Sequence, residues 1–197
     1  MLSRVQNVDL LRPLDYGGRA AHLLDGAQFV GIPLPSTAGG SRLYDLSGYG
    51  RHGDFINMDD SAWGADVSVN TPIIDIDAEA KRVDTGFDEH VPQQFSVVLF
   101  GRGDLTRDDY AIHKDNATFE GYTWRFKENN WDVRNNNVLS FGTYVSSNFN
   151  IFVGTFNRQG MQRTYTNGVL QNETPASSDL NQASATVEIG GRGNNRG

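Results

Sequence analysis

The sequence contains no cysteine, which excludes disulfides, thiolate metal sites and cysteine nucleophiles together. It is also short of positive charge: 17 Lys and Arg face 24 Asp and Glu, a net charge of −7 over 197 residues. A phosphate backbone is held by clustered cations, and the arginines here are scattered, so nucleic acid is not an expected partner. Long apolar runs are missing. The stretch from Phe95 to Phe100, interrupted by Ser96, falls far below the ~20 residues that span a bilayer, so membrane insertion is not expected. Near the start, Arg4 stands alone, and Asp9 and Arg12 flank Leu10-Leu11. That leaves no room for the apolar core of a signal peptide, and the expectation is synthesis in the cytoplasm without general secretory export. Sustained helical periodicity is absent as well; Arg19 to Leu24 is the one stretch that reads as a helical turn.

What is abundant points to β-structure. There are 22 glycines, 11% aromatics, and Asn clusters such as Asn129-Asn130 and Asn135 to Asn137. Gly and Asn tolerate the positive φ of tight turns, whereas Phe, Tyr, Trp, Val and Thr suit a pleated surface. Residues 1–40 read differently from the rest, with Pro13, Pro33, Pro35 and the pairs Gly17-Gly18 and Gly39-Gly40 among scattered apolar residues. Proline removes ladder donors and glycine weakens strands, so this segment is expected to be an arm. Burial of Leu10, Leu11, Leu23, Leu24 and Phe29 would dock it on a neighbour or on its own domain.

From residue 41 to 197 the pattern is that of one domain of strands and turns. Strands are expected at Ile73 to Ile76, Phe95 to Gly101, Tyr110 to Lys114, Tyr122 to Lys127, Val138 to Tyr144, Asn150 to Phe156, Met161 to Thr166, Val169 to Asn172 and Thr186 to Gly190. The strand from Phe95 reads as buried on both faces. Trp124 and Phe126 alternate with Thr123, Arg125 and Lys127, the pattern of a strand with one wet face. Asn167-Gly168, between Thr166 and Val169, predicts a two-residue type I′ hairpin. Many short antiparallel strands imply a two-sheet sandwich or jelly roll.

Four constellations carry candidate chemistry. Asp75, Asp77 and Glu79 would share one face if they lay in a strand, an arrangement similar to the acidic row of laminarinase-type glucanases, where retaining hydrolysis needs carboxyl groups ~5 Å apart. The first position here is Asp rather than Glu, so its shorter side chain falls short of a nucleophile's reach. The plainer reading, acids that end a strand and shape the next turn, is preferred, and no enzymatic activity is expected. The histidines His22, His52, His90 and His113 lie far apart, without the short spacing of a zinc site, and Arg102-Gly103-Asp104 reads as a charged turn. No metal or cofactor is expected. Trp124, Trp131, Tyr144 and Tyr165 are candidates for a glycan-stacking platform, since aromatic faces suit pyranose rings, although core packing uses the same residues.

Several motifs in order resemble the laminin-G-like, concanavalin A-like jelly-roll family of lectins and glucanases. The stretch Tyr44-Asp45-Leu46-Ser47-Gly48-Tyr49-Gly50-Arg51-His52-Gly53 is similar to the family's opening D-x-S-G-x-G-x-x-G. Ile74-Asp75-Ile76-Asp77 followed by Val83-Asp84 resembles its L-x-F-D-G-x-x-x-Y-V, with Ala78 in place of glycine and Arg82 in place of the aromatic. Phe95-Ser96-Val97, Gly154-Thr155-Phe156 with Tyr165-Thr166-Asn167-Gly168, and Val187-Glu188-Ile189-Gly190-Gly191 match later strands, so the likeness covers about residues 41–193. It implies an all-β, antiparallel two-sheet jelly roll, mostly non-catalytic, with structural roles for the aspartates. Family members usually continue into one more strand, which another chain or the arm would supply here. The lead-in Arg12-Pro13-Leu14 and Gly39-Gly40 resembles that of laminin-G-like proteins of phage virions. That likeness implies a virion-surface structural protein (capsid decoration, tail or fibre). Its partners would be a major capsid or tail protein and copies of itself, with cell-surface polysaccharide as a further ligand. A stand-alone lectin or adhesin is the alternative.

Overall fold

The computed structural model describes residues 27–33, 38–47, 49–66, 68, 71–77, 80–88, 94–102, 109–115, 121–127, 130–135, 138–144, 148–157, 159–176 and 185–191. Leu10, Leu11, Leu23, Leu24 and the expected helical turn at Arg19 to Leu24 lie outside these residues. The chain divides into two compact units, Met1–Asp75 and Ile76–Gly197. Among the described residues the strands are antiparallel and the one helical element is a single 3-10 turn. None of their helices is long and apolar enough to cross a membrane.

In the first unit, β1 (Arg42–Leu43) pairs with β2 (Gly53–Ile56), burying Leu43 and Phe55. The 3-10 turn Asp60–Ala62 follows, its first turn capped by the Asp59 carboxylate, which accepts from the Ser61 N–H at 2.8 Å. It leads into β3 (Trp63–Asp66), which pairs with β4 (Thr71–Ile74). Trp63 ties these pieces together: its ring lies 5.4 Å from that of Phe55, and its indole N–H donates to the Gly40 carbonyl at 2.8 Å. Phe29 is half-buried, with its ring against Gly31 beside Leu43.

The second unit is a sandwich. One sheet has the order β5 (Arg82–Asp84), β14 (Glu188–Gly190), β7 (Asp109–Asp115), β8 (Gly121–Lys127), β9 (Asn130–Asn135), β10 (Val138–Thr143). The other has the order β13 (Val169–Pro175), β12 (Met161–Thr166), β11 (Asn150–Asn157), β6 (Gln94–Gly101). This is the antiparallel two-sheet architecture expected from the strand pattern. Alternation sets which side chains enter the core: Tyr122, Trp124 and Phe126 from β8, Trp131 and Val133 from β9, Phe152 and Phe156 from β11. The rings interlock, with Phe95 stacked on Phe156 at 4.4 Å and Trp124 tilted on Trp131 at 5.7 Å.

Two glycines make room for the tryptophans. A Cβ at Gly154 would sit 2.4 Å from the Trp124 ring, and one at Gly142 would sit 2.1 Å from the Trp131 ring nitrogen. The Trp131 N–H donates to Thr166 Oγ1 at 2.9 Å, joining the two sheets through the core. The expected hairpin closes the β12–β13 pair. Thr166 faces Val169, and Asn167 and Gly168 both have positive φ, 51° and 80°.

Two readings of the sequence are corrected. The strand at Phe95 is not buried on both faces, because its sheet packs against the core on one face only. Phe95, Val97 and Leu99 turn inward, while Ser96, Val98 and Phe100 are exposed. The strand expected at Ile73 to Ile76 ends at Ile74, so Asp75 lies beyond it.

Gly154→Ala is expected to destabilise the protein by about 1–3 kcal/mol, the usual cost of overpacking a filled core; a thermal unfolding midpoint equal to that of the wild type would show that Trp124 has room to move. Gly168→Val meets no neighbouring atom, so its expected cost of about 1–2 kcal/mol is backbone strain alone, measurable by denaturant unfolding.

Candidate functional site

The side chains singled out in the sequence separate into groups. Trp124 and Trp131, each 1% exposed, and the buried Tyr144 belong to the core. A stacking platform needs a ring face open to solvent, and these three rings turn theirs to Phe126, Phe152 and one another. Tyr165 differs: it is half-buried and points outward from β12.

The acidic row does not form on a strand. Asp75 and Asp77 are exposed beyond the end of β4, Asp77 pairs with Lys81 at 2.6 Å, and Glu79 lies outside the described residues. Two acids on the outward side of the six-stranded sheet have basic neighbours. Asp132 receives two Arg125 nitrogens at 3.0 and 2.7 Å, and Glu188 bridges Arg82 at 2.8 Å and His113 at 3.2 Å. Charge-assisted hydrogen bonds of this kind join neighbouring strands of the sheet. His22, His90, Gly103 and Asp104 lie outside the described residues, among which no group of three or more His, Asp or Glu could hold a metal ion.

Asp45 organises the first unit. Its buried carboxylate accepts from the backbone N–H groups of Val30 (3.0 Å), Ser47 (2.9 Å) and Arg51 (3.0 Å) and from the Ser47 hydroxyl (2.7 Å). Its own N–H donates to His52 Nδ1 at 3.0 Å. Burial by itself would raise the Asp45 pKa, but these hydrogen bonds outweigh it and hold the carboxyl below its ordinary value. The loop thus fixed presents Tyr49, with the Arg51 guanidinium 4.5 Å above its ring.

The surface that sequence reasoning missed is the outward face of the four-stranded sheet. Register aligns Val98, Val153, Tyr165 and Leu170 in one row across all four strands, and Phe100 beside Ile151 in the next. Val98 is 65% exposed, Phe100 52% and Leu170 50%. At one end Phe100 stacks on Phe149 at 5.3 Å, and Arg102 lies 5.3 Å from the Phe149 ring centre. The hairpin tip is strapped to the same end, because Asn167 accepts from the Ile151 N–H at 2.9 Å and donates to Asn150 Oδ1 at 3.0 Å. The Arg163–Glu173 pair closes the other side of the face. The signal was present in the sequence: β6 and β11 carry apolar residues at both parities, and the Asn-Gly turn fixes the register that lines them up.

No protein-family model and no curated protein matches the sequence. Solved structures match the fold. Botulinum neurotoxin type C, whose uptake into cells depends on interaction with two ganglioside molecules, superposes with a TM-score of 0.61 at 14% identity over 87% of this chain. The binding domain of botulinum neurotoxin DC, solved with rat synaptotagmin II, gives 0.55 at 14% identity over 84%. The binding domain of Paraclostridial Mosquitocidal Protein 1 gives 0.55 at 12% identity over 76%. The chain spans less than half of each of these, 44%, 44% and 41%. At such identities the likeness is one of fold.

Asp45→Asn keeps the shape but replaces one acceptor oxygen with a donor, so a loss of about 1–3 kcal/mol is expected at pH 7. The wild type's advantage belongs to the charged carboxylate, whose folded pKa is depressed. It is complete above the unfolded value of ~3.9 and is lost as pH falls through the lower folded value. Unfolding free energies of the two proteins measured from pH 7 downward should therefore converge in acid, and a constant gap would rule out the charge as the cause.

Proposed function

We propose that the chain is a non-enzymatic, carbohydrate-binding jelly-roll module carried as a structural component on the surface of a phage particle. The observation that carries the recognition half is the exposed end of the four-stranded sheet, where the half-exposed Phe100 ring is stacked on Phe149 and the Arg102 guanidinium lies 5.3 Å from the Phe149 ring centre. A pyranose presents an apolar face and a rim of hydroxyls. Aromatic surface beside a guanidinium offers a partner for each, and stacking supplies affinity while the charged donor supplies orientation. The ganglioside interaction of the type C neurotoxin supports the same ligand class on a similar fold.

The particle half of the reading rests on the resemblance of the N-terminal segment to phage virion proteins. An apolar, Pro- and Gly-broken arm suits docking on a major capsid or tail protein. The acidic body, part of a chain of net charge −7, stays soluble when displayed outward.

A glycan array probed with the purified chain should show binding to a restricted set of saccharides. Phe100→Ala should weaken it by about tenfold or more, equivalent to roughly 1.4 kcal/mol, with an unchanged β spectrum. An array that stays blank with the wild type removes the carbohydrate reading. Deleting residues 1–30 should abolish joining to the particle; incorporation at normal occupancy would move the attachment from the arm to the jelly roll.

A further inference from the structure

We infer that β6 is the interface of a two-fold dimer, in which the four-stranded sheets of two copies join edge to edge into one eight-stranded sheet. The inference does not rest on the proposed ligand. β6 lies at the end of its sheet and pairs with β11 through eight successive partners, from Asn150 with Gly101 to Asn157 with Gln94, without a register shift. Among the described residues no strand occupies its other edge.

A long unpaired edge is normally blunted by charge, proline, a bulge or a short strand. The opposite end of the same sheet shows these devices. β13 carries Glu173 and Pro175, and its register with β12 shifts between Thr164 and Tyr165. β10, an end strand of the other sheet, is tied across the sandwich by Thr143 Oγ1 to Gln171 at 3.1 Å and by the Thr166 hydroxyl to the Thr143 carbonyl at 3.0 Å. β6, Gln-Phe-Ser-Val-Val-Leu-Phe-Gly, has neither charge nor proline nor bulge over eight residues.

The same neutrality argues that the occupant is a second copy. Two chains of net charge −7 repel each other, and at a two-fold axis any charged residue would meet its own image. β6 offers a contact at which no like-charged side chains of the strand are brought together. Geometry then restricts the register, and the match of large to small side chains centres it on Val98. A two-fold axis normal to the sheet keeps the inward face inward in both copies, so paired residues must share parity. Centring on Val98 sets Val98 against Val98 of the second copy and the large Phe100 against the small Ser96. It also joins the outward rows of the two sheets into one band. A dimer built this way presents two copies of the Phe100 end on one continuous surface.

Sedimentation of the full chain across about 1 to 100 μM, where interfaces of ordinary size associate, should show the mass of two chains. V98K alters an exposed side chain, so it should keep the β spectrum and sediment as one. The absence of cysteine makes single-cysteine variants clean reporters. V98C should oxidise to a covalent dimer at least about tenfold faster than L170C, because directly opposed residues meet the ~5.5 Å Cα spacing of a disulfide and β13 lies three strands from the axis. A wild type that remains one chain throughout overturns the inference. So does V98C linking no faster than L170C, an assay that still reports if V98K fails to fold.

Discussion

The fit of two indoles against two glycines is the constraint on which the sandwich depends. Trp124 and Trp131 stand on neighbouring strands of the six-stranded sheet. Each occupies space that a single Cβ, at Gly154 on the facing sheet or at Gly142 on β10, would take away. Closely packed interiors yield little to such intrusions. The Trp131 ring so seated packs edge-on against Phe152, which packs in the same way on Phe126, and its N–H reaches Thr166 on the facing sheet. β12 accordingly turns polar side chains inward, Gln162, Thr164 and Thr166, each buried. Gln162 donates to the Val133 carbonyl at 3.0 Å and Thr164 lies 3.4 Å from the Ser140 hydroxyl. Buried polar groups with partners specify register, since a slip of one residue would leave them unpaired.

Elsewhere the molecule deals with charge locally. In the first unit one carboxylate, Asp45, gathers four donors from three residues spread between positions 30 and 51, which shapes a loop that has little regular structure of its own. On the six-stranded sheet Glu188 and Asp132 each have a cation beside them. Burial likewise lowers the Lys114 pKa, with Asp88 opposing the shift, and its amine donates to the Ala185 carbonyl. These arrangements use the charged residues for architecture. That is the physical sense in which the aspartates of the opening motif and the sheet face are structural.

The parts of this fold that were readable in the sequence are those governed by local rules. Asn167-Gly168 announced its turn because few other residues adopt two successive positive φ angles, and the strand Met161–Thr166 ends where that turn begins. β9 escaped notice because Asn130 and Asn135 at its ends read as turn residues, although Trp131 and Val133 between them alternate as a strand should. β1, β2, β3 and β5 hold two to four residues each, too few to establish a period. The aromatics show the deeper difficulty. Alternation says that Trp124 and Phe126 share a face, but whether that face meets solvent or another sheet is decided by residues far away in the chain. For the same reason the outward row from Val98 to Leu170 could not be assembled until strand order was known.

The two outer faces of the sandwich consequently differ in kind. On one, the outward Thr123, His113 and Asp132 are buried, and Asp132 is already paired with Arg125. The other exposes Val98, Phe100, Ile151 and Leu170, which gain from being covered and have no polar partners to lose. A chain of net charge −7 could have kept this face wet with a few acids on β6, as it does on the loops. Keeping it neutral and apolar costs solubility, and a cost of that sort persists where contact returns it. The same argument extends to the edge of β6, where backbone donors and acceptors add direction to what the apolar face supplies in affinity. The proposed recognition at the Phe100 end and the proposed self-association along β6 are then two uses of one property: a sheet left unfinished on the side that faces outward.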